Sequence, residues 1–216
     1  MEIPVLYYFS INDTQKSKKK GKNVMQEMEI MEIFNKSGAY KQGHFKLSSG
    51  LHSGAYLQCA LVLQDPAVAA RLCGALAKKV TEQKPDIIVG PAMGGIILAY
   101  ELARVLNARA VFTERDKTGK MCLRRGFKIF PDSKVLVAED VLTTGKSVKE
   151  VLSLLKENGV TPLSIVSLVD RAGGGIDFGG IKHKSLLKLD IPVFEEQDCP
   201  FCQEGLPIEK PGSRKD

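Results

Sequence analysis

Residues 134–159, KVLVAEDVLTTGKSVKEVLSLLKENG, contain the clearest structural pattern in the chain. They begin with the apolar run 135–138, which is typical of a buried parallel strand. They end in a segment whose apolar residues recur every three or four positions until Gly159, a residue that commonly ends a helix. Ser147, followed three residues later by Glu150, predicts a capping box at the helix start. The segment therefore predicts a strand, a turn and a helix, the repeating unit of a largely parallel α/β fold.

Two acids and a small polar turn separate this strand from this helix. Glu139 and Asp140 are adjacent, and residues 143–147 read TTGKS. A turn that leads into a helix offers backbone N–H groups to an anion, and neighbouring carboxylates can hold vicinal hydroxyls or a hydrated Mg²⁺. The combination indicates a ribose phosphate as ligand, although the same arrangement also occurs in α/β proteins that bind nothing there. The Walker pattern G-x-x-x-x-G-K-[ST] is absent from the sequence.

In its full form, VLVAEDVLTTGKS, this motif closely resembles the phosphoribosyl pyrophosphate (PRPP) signature of the type I phosphoribosyltransferases. The resemblance implies that the two acids hold the ribose hydroxyls and that the turn holds the 5-phosphate. The residues to which it assigns PRPP binding are Glu139, Asp140, Val141, Leu142, Thr143, Thr144, Gly145, Lys146 and Ser147.

The segment HFKLSSGLHSGAYLQ, residues 44–58, places glycines and polar residues between short extended pieces. It resembles the N-terminal hood that covers the pyrimidine base in orotate phosphoribosyltransferases, and purine and uracil phosphoribosyltransferases do not carry this string. Many members of that family have a lysine where this chain has Ser48, so the substrate contact of that lysine is in doubt here. His44 and His52 could be metal ligands, but an isolated histidine is more often a packed or exposed polar residue, so we expect no metal there.

A second strand and turn are predicted at residues 87–95. The apolar run 87–89 leads into GPAMGG, and a helical pattern follows to about Leu106. Glycines in such a turn let the backbone approach an anion, or they serve close packing alone. The resemblance makes this turn the pyrophosphate loop and places Met93 and Gly94 in it, whereas some family members carry a lysine at the position of Gly94.

A basic region follows the next short strand. Arg115 stands where an open α/β sheet presents ligand groups, and residues 116–120 form a polar turn before an expected return strand at 121–129. The resemblance makes this region a mobile loop that closes over the pyrophosphate of the neighbouring subunit, with Arg115 and Lys117 binding PRPP and Lys120 catalytic. A solvated basic hairpin is the alternative. The cations that could close the site are Lys117, Lys120, Arg124 and Arg125.

The apolar run 163–169 predicts another buried strand, which ends in Asp170 and Arg171. An arginine at that edge of the sheet is positioned to grip a carboxylate through two parallel hydrogen bonds. Orotate has a carboxylate and the alternative bases do not. The resemblance assigns orotate binding to Arg171 together with Thr143.

Cys199 and Cys202 form a C-P-F-C pair near the C-terminus. A structural zinc site normally has four ligands, and the sequence contains no second C-x-x-C, so a four-cysteine site would require two chains. A thioredoxin-like role would need the pair to open a helix after a strand, whereas it lies in a Pro/Gly-rich segment. We therefore expect no metal at this pair.

Length, composition and cysteine count limit the classes of protein to which the chain can belong. A chain of 216 residues with 44% hydrophobic residues suits one domain with a real core. No apolar run approaches the length of a membrane span, and the N-terminus does not resemble a signal peptide. The five cysteines are odd in number and scattered, which favours a reducing cytoplasm.

Charge and pattern suggest how the chain is divided. The formal charge of +6 is concentrated near the two ends, where lysine-rich stretches are more often solvated tails than nucleic-acid sites, so we expect no nucleic-acid partner. The predicted organisation is a disordered extension at 1–24, a phosphoribosyltransferase domain at 25–212 with its hood at about 25–62 and its core at about 63–198, and a tail at 199–216.

Taken together, the patterns predict an α/β fold with a mostly parallel, five-stranded central sheet, helices on both faces and a small hood. The resemblance implies an orotate phosphoribosyltransferase that joins orotate to Mg²⁺-bound PRPP, as a homodimer with shared active sites. It makes Asp140, Glu139 and Lys120 the catalytic residues, and Mg²⁺ would be held mainly by PRPP, with Asp140 as a candidate ligand. The alternatives are a purine or other base phosphoribosyltransferase and a PRPP-sensing regulator of the same fold.

Overall fold

The structure is a computed structural model that describes residues 25–47 and 49–211. The proposed extension at 1–24, Ser48 and the end of the proposed tail lie outside these residues. The helices are α1 (Glu27–Lys36), α2 (Ala60–Leu63), α3 (Pro66–Lys78), α4 (Gly94–Leu106), α5 (Lys146–Glu157) and α6 (Pro200–Gln203). The strands are β1 (Tyr40–Lys46), β2 (His52–Leu57), β3 (Ile87–Pro91), β4 (Arg109–Arg115), β5 (Met121–Leu123), β6 (Val135–Leu142), β7 (Ser164–Asp170), β8 (His183–Lys188), β9 (Val193–Phe194) and β10 (Ile208–Glu209).

The central sheet has the strand order β5-β4-β3-β6-β7-β8. Strands β4, β3, β6, β7 and β8 are parallel, and β5 pairs antiparallel with β4 at the edge. The expected mostly parallel sheet is confirmed, but the expected count of five strands omits β5. The return strand predicted at 121–129 is also shorter than expected, because the chain turns at Arg125 and Gly126, whose φ angles are +61° and +75°.

Two hydrophobic clusters cover the two faces of this sheet. Leu136 and Ala138 of β6 belong to the cluster under α1, α3 and α4, whereas Val135 and Val137 belong to the cluster under α5. Alternate residues of a strand point to opposite faces, so a strand between two helical layers must be apolar throughout. Each fully buried leucine contributes roughly 1.5–3 kcal/mol relative to exposure. Among the described helices, none is both long and apolar enough to cross a membrane.

The start of α5 differs from the predicted capping box. The helix begins at Lys146, its N-cap is Gly145 with φ +71°, and no side chain caps it. Ser147 already lies inside the first turn, and the carboxylate of Glu150 pairs instead with Arg115 of β4. The prediction was wrong because a left-handed glycine, which has no Cβ, caps the helix at position 145, two residues before the predicted serine cap.

The hood is a separate four-stranded sheet with the order β10-β1-β2-β9. Strands β1 and β2 form the antiparallel hairpin of the hood segment, with Phe45 opposite Ser53. The short strands β9 and β10 come from the C-terminal part of the chain and lie outside the hood boundaries of 25–62. Two-residue strands carry no readable period, so the sequence pattern did not indicate them.

Candidate active site

Four loops meet at the carboxyl edge of the central sheet. Strand β3 lies between β4 and β6, and Leu142 at the end of β6 is paired with Asp170 at the end of β7. The segments that follow these strands therefore emerge side by side. This edge is where open α/β sheets bind their ligands, and it brings together the predicted pyrophosphate loop, the PRPP motif and Arg171.

Glu139 and Asp140 differ sharply in their surroundings. Glu139 is only 8% exposed, and burial, followed by the charge of Asp140, raises its pKa to about 9. Asp140 is half-buried, and its Oδ1 accepts a hydrogen bond of 2.9 Å from the backbone N–H of Val141. The Asp140 N–H in turn donates to Glu139 Oε1 at 3.2 Å. The pair therefore presents one neutral, buried acid and one accessible carboxylate.

The pyrophosphate loop lies against Asp140. A Cβ built on Gly94 would lie 2.3 Å from Asp140 Oδ2, and one on Gly90 would lie 2.2 Å from the carbonyl oxygen of Gly95. At Gly90 the backbone excludes a side chain, whereas a side chain at Gly94 would require the Asp140 carboxylate to move. Met93, at the tip of the loop, is 81% exposed. The loop thus brings the backbone at the start of α4 next to the acid pair, and the Met93 side chain extends into solvent.

The turn after β6 has the geometry of an anion site. Thr143, Thr144 and Lys146 are exposed, and Ser147 is half-buried. Gly145 is buried, and a Cβ there would lie 3.1 Å from both Ile176 and Phe178. The turn therefore packs on Ile176 and Phe178 through Gly145. Its hydroxyls and the first N–H groups of α5 lie on the exposed side. Earlier in the motif, the half-buried Val141 and the buried Leu142 are part of β6, and the side chain of Leu142 belongs to the core.

Arg171 lies next to this turn. Its backbone N–H donates to the carbonyl oxygen of Leu142 at 2.8 Å. Its Nε is buried and has no hydrogen-bond partner among the described residues. Burial lowers the pKa of Arg171, and the hood tyrosines Tyr40 and Tyr56 oppose this shift. The backbone of Arg171 is therefore anchored at the end of β6, and its guanidinium, near the hood tyrosines, has a donor available for an acidic ligand.

Sequence reasoning missed the two tyrosines. Tyr40 begins β1 and Tyr56 lies in β2, on the antiparallel hairpin of the hood. Tyr56 belongs to the hood string, but nothing in the string indicated that this side chain lies near Arg171. Burial raises the pKa of Tyr56, and the charge of Arg171 opposes that effect.

Among the described residues, the ion pairs of the basic region are with acids other than Glu139 and Asp140. Arg115 pairs with Glu150 of α5, and Lys120 lies 3.4 Å from Glu157 of the same helix. Lys117 is exposed and has no ion-pair partner within residues 25–47 and 49–211. The two remaining cations, Arg124 and Arg125, each lie 3.1 Å from a carboxylate oxygen of Glu114.

A second cluster lies in the hood. The side chains of His44, His52, Cys199 and Cys202 converge there, and their ligating atoms all lie within 4.8 Å of one another. From the sequence, the two histidines and the two cysteines were considered separately, and only a four-cysteine zinc site was weighed for Cys199 and Cys202. The fold instead brings two histidines, from β1 and β2, beside the two cysteines.

The chain is similar to known proteins over most of its length. The family profile described as "Phosphoribosyl transferase domain" matches residues 62–178. A protein of Thermotoga maritima named orotate phosphoribosyltransferase is 52% identical over 185 residues, which cover 86% of this chain and 98% of the relative. One of the same name from Carboxydothermus hydrogenoformans is 49% identical over 190 residues, or 87% and 98%. The crystal structure of orotate phosphoribosyltransferase from Aeropyrum pernix superposes with a TM-score of 0.64 at 26% identity, covering 74% of this chain and 93% of that one.

Proposed function

Because the chain belongs to the phosphoribosyltransferase family, we propose that it transfers the ribose 5-phosphate of PRPP to orotate. The bond between the ribose C1 and pyrophosphate breaks and a bond from C1 to a ring nitrogen of orotate forms, so the products are orotidine 5′-monophosphate and pyrophosphate. The relatives of this name match the chain over nearly their whole length. Within the molecule, the observation that carries the proposal is the buried, unpaired Nε of Arg171 beside the sugar-phosphate turn.

The 5-phosphate would bind to Thr143, Thr144, Gly145, Lys146 and Ser147. The left-handed Gly145 and the absence of a side-chain cap on α5 support this assignment, because the N–H groups of the first helical turn then remain available to phosphate oxygens. The exposed threonine hydroxyls add donors, and the Lys146 ammonium adds charge.

The ribose hydroxyls would bind to the acid pair. Asp140 is the accessible carboxylate and accepts hydrogen bonds directly. Glu139, which is neutral near pH 7 because its pKa is about 9, would be the inner partner and could either donate or accept a hydrogen bond. Preorganised acceptors beside C1 favour the positive charge that develops on the ribose as pyrophosphate departs.

We propose Mg²⁺ as the cofactor. Of the two acids, Asp140 is better suited than Glu139 to bind it. Asp140 is half-buried, so its carboxylate can be approached by a hard cation that carries oxygen ligands and water. The buried, neutral Glu139 is less suited to a cation. When bound with PRPP, Mg²⁺ neutralises charge on the pyrophosphate. Of the two acids, we therefore expect Asp140 to hold the metal, with most ligands supplied by PRPP and water.

The pyrophosphate would bind between Met93–Gly94 and the basic region. Gly94 allows backbone N–H groups to approach the phosphates. The family resemblance assigns Arg115, at the end of β4, to the pyrophosphate. Lys117 and Lys120 lie on an exposed turn, so they could reach a substrate only if the turn moves. In the described arrangement Lys120 is near Glu157, and closing the loop would exchange that weak surface pair for pyrophosphate.

Orotate would lie between Arg171 and the hood. A planar guanidinium can bind the orotate carboxylate with two hydrogen bonds, and Thr143 lies next to the same edge. Tyr40 and Tyr56 provide aromatic surface on the hood side. Partial burial strengthens a charge-assisted hydrogen bond and makes an arginine without a carboxylate partner costly. The site would thereby favour an acidic pyrimidine over a neutral base.

The chemistry needs no covalent nucleophile. The chain aligns the orotate nitrogen with C1, holds the ribose by its hydroxyls and phosphate, and stabilises the departing pyrophosphate with backbone N–H groups and cations. Glu139 and Asp140 are catalytic in the sense that they contact the reacting sugar, and Lys120 in the sense that it would contact the leaving group.

A base panel separates this reaction from its alternatives. With PRPP and Mg²⁺, we expect consumption of orotate and release of pyrophosphate, and no comparable turnover with adenine, hypoxanthine or uracil. Turnover of a purine in preference to orotate would instead support a purine phosphoribosyltransferase. Binding of PRPP without turnover of any base, together with salt-dependent binding to DNA or RNA, would support a regulator.

We also propose a homodimer. Helix α4 begins at the pyrophosphate loop, and its first turns expose an apolar stripe: Met93 is 81% exposed, Ile97 46% and Tyr100 68%. These residues are spaced three and four apart, so they share one helix face. Apolar patches of this kind are covered in stable assemblies. A dimer formed through this face would place a neighbouring chain close to the loop that binds pyrophosphate.

A reducing compartment such as the cytoplasm is the proposed location. All five cysteines of the chain are unpaired, and Cys59, Cys73 and Cys199 are buried. Free thiols of this number persist most readily where glutathione and thioredoxin keep them reduced.

A further inference from the structure

The cluster of His44, His52, Cys199 and Cys202 is not used by the proposed reaction. His44 lies in β1 and His52 begins β2. Cys199 directly precedes the short helix α6, and Cys202 lies within it. His44, His52 and Cys199 are buried, with exposed fractions of 4%, 2% and 0%. Four potential metal ligands therefore converge in the hood, three of them buried and Cys202 partly exposed.

The distances within the cluster match those in a tetrahedral metal site. Bonds of about 2.0–2.1 Å to nitrogen and 2.3 Å to sulfur separate ligand atoms by about 3.3 Å for N···N and 3.6 Å for N···S. Here His44 Nε2 lies 3.0 Å from His52 Nδ1 and 3.5 and 3.7 Å from the sulfurs of Cys199 and Cys202. Cys202 Sγ lies 3.3 Å from His52 Nδ1. These four of the six separations are therefore close to those of a tetrahedral site, and all six lie within 4.8 Å.

The hydrogen bond on the far side of His44 sets its tautomer. His44 Nδ1 lies 3.0 Å from the carbonyl oxygen of Leu206, so Nδ1 carries the proton and donates it. Nε2 then presents its lone pair to the cluster. Histidine ligands are commonly oriented in this way by a carbonyl or carboxylate on the other ring nitrogen. His52 faces the cluster with Nδ1, and its Nε2 is buried with no partner among the described residues.

We propose that His44, His52, Cys199 and Cys202 bind one Zn²⁺ per chain as a structural site. Two imidazoles and two thiolates in tetrahedral arrangement are the ligand set that zinc prefers. All four positions are taken by protein atoms, so no position is left for a substrate or an activated water. The site is closed, and it stabilises the fold without taking part in the reaction.

The role of such an ion follows from what the ligands connect. Cys199 and Cys202 belong to the segment that returns to the hood, where β10 pairs with β1 through His44 and Ile208. Phe201, between the cysteines, packs so closely on Gly54 of β2 that a Cβ on that glycine would lie 2.7 Å from the ring. Zinc would fasten the C-terminal segment to the β1–β2 hairpin, which also carries the tyrosines near Arg171.

The alternative is a network of hydrogen bonds without metal. If His52 Nδ1 carries a proton, it could donate to His44 Nε2 at 3.0 Å, and the two thiols are then left without a free ring-nitrogen acceptor. If His52 Nδ1 is unprotonated, the thiols could donate to the two ring nitrogens, but the two nitrogen lone pairs then face each other at 3.0 Å. A metal ion satisfies the two nitrogens and two sulfurs together.

Metal analysis of the untagged, full-length protein tests the proposal. Elemental analysis by mass spectrometry should find about one zinc per wild-type chain, and less than about a tenth of that in Cys202→Ser and in His52→Ala. Cys122→Ser is the matched control, because Cys122 is also partly exposed and lies outside the cluster; its zinc content should equal that of the wild type. A strong chelator should lower the melting temperature of the wild type and of Cys122→Ser.

Cobalt provides a readout that does not depend on the variants folding. Wild-type protein freed of metal by chelation and titrated with Co²⁺ should develop thiolate-to-cobalt charge-transfer absorption and the intense visible bands of tetrahedral cobalt, saturating at about one equivalent. The proposal is overturned if the wild type contains no zinc and gives no cobalt bands. It is equally overturned by a Cys199–Cys202 disulfide in freshly purified protein, or by zinc that persists in a folded Cys202→Ser variant.

Discussion

Gly94 lies directly against the carboxylate of Asp140, so that a Cβ on Gly94 would come within 2.3 Å of Oδ2 and 2.5 Å of Cγ. The first residue of α4 and an acid near the end of β6 are therefore in contact without an intervening side chain. In the proposed reaction, these two residues contact the two parts of PRPP that separate, the pyrophosphate and the ribose. A larger residue at position 94 would therefore require the Asp140 carboxylate to move.

Gly94→Ala should reduce kcat/KM for PRPP by at least about tenfold, because the new methyl group must displace the Asp140 carboxylate from its position. Steady-state kinetics with PRPP as the varied substrate measure the effect. Gly74→Ala is the matched control, since a Cβ there meets nothing within 4 Å, and alanine favours a helix by about 1 kcal/mol. Equal kcat/KM values for the two variants would contradict the assigned role of the contact.

Arg171→Ala should raise the KM for orotate by at least about tenfold while the KM for PRPP changes by less than about twofold, because the lost hydrogen bonds are those to the orotate carboxylate. Arg171→Lys should recover only part of this loss, since an ammonium does not offer the planar pair of donors. Arg71→Ala, which removes an exposed arginine 2.8 Å from Glu29, is the control and should leave both constants unchanged. An unchanged orotate KM in Arg171→Ala would remove this residue from the base site.

Burial of Glu139 should make the ligand-free protein less stable as the pH rises. The pKa of this acid is raised from 4.5 to about 9 on folding, so between these values the folded state keeps a proton that the unfolded state releases. The unfolded state binds fewer protons, and the free energy of unfolding therefore falls with increasing pH, by at most about 1.4 kcal/mol per pH unit.

Urea denaturation of wild type and Glu139→Gln measures this effect, because the variant keeps the volume of the side chain and cannot release the proton. As the pH rises from about 6 to about 8, the unfolding free energy of the wild type should fall relative to that of Glu139→Gln. Parallel pH profiles for the two proteins would show that Glu139 is already ionised in the folded state.

Shared active sites predict that two inactive variants restore each other. Asp140→Asn disables the acid pair, and Lys120→Ala disables the closing loop. In a mixed dimer, one site combines both intact residues if the loop acts on the neighbouring subunit. The isolated mixed dimer should therefore have about half of wild-type activity, and an unsorted, randomly paired mixture about one quarter. Co-expression of the two differently tagged chains, followed by tandem purification, isolates the mixed dimer. No recovered activity in that species would place the loop over its own subunit's site.

Patterns that depend on nearby residues were readable from the sequence. The strand, turn and helix of the PRPP motif span 26 consecutive positions, 134–159, and the apolar run of β6 follows from burial on both faces. The family resemblance rested on the same local strings. Its profile match from residue 62 to 178 lies within the predicted domain.

Features that depend on distant residues were not readable. Cys199 and His44 are 155 positions apart in sequence yet 3.5 Å apart in space, and neither residue alone indicated a four-ligand cluster. Strand β10 is only two residues long and gains its identity from pairing with β1. The start of α5 was misassigned because Ser147 and Glu150 have the spacing of a capping box, whereas the Arg115 ion pair engages Glu150 instead.

The position of bound ligands tests the central claim most directly. Crystals grown with Mg²⁺, orotate and a non-reactive analogue of PRPP should show the 5-phosphate on the N–H groups of residues 143–147. The ribose hydroxyls should lie on Glu139 and Asp140, and the orotate carboxylate should lie within about 3 Å of the Arg171 guanidinium. An empty turn at 143–147, or an Arg171 side chain directed away from the bound orotate, would contradict the account.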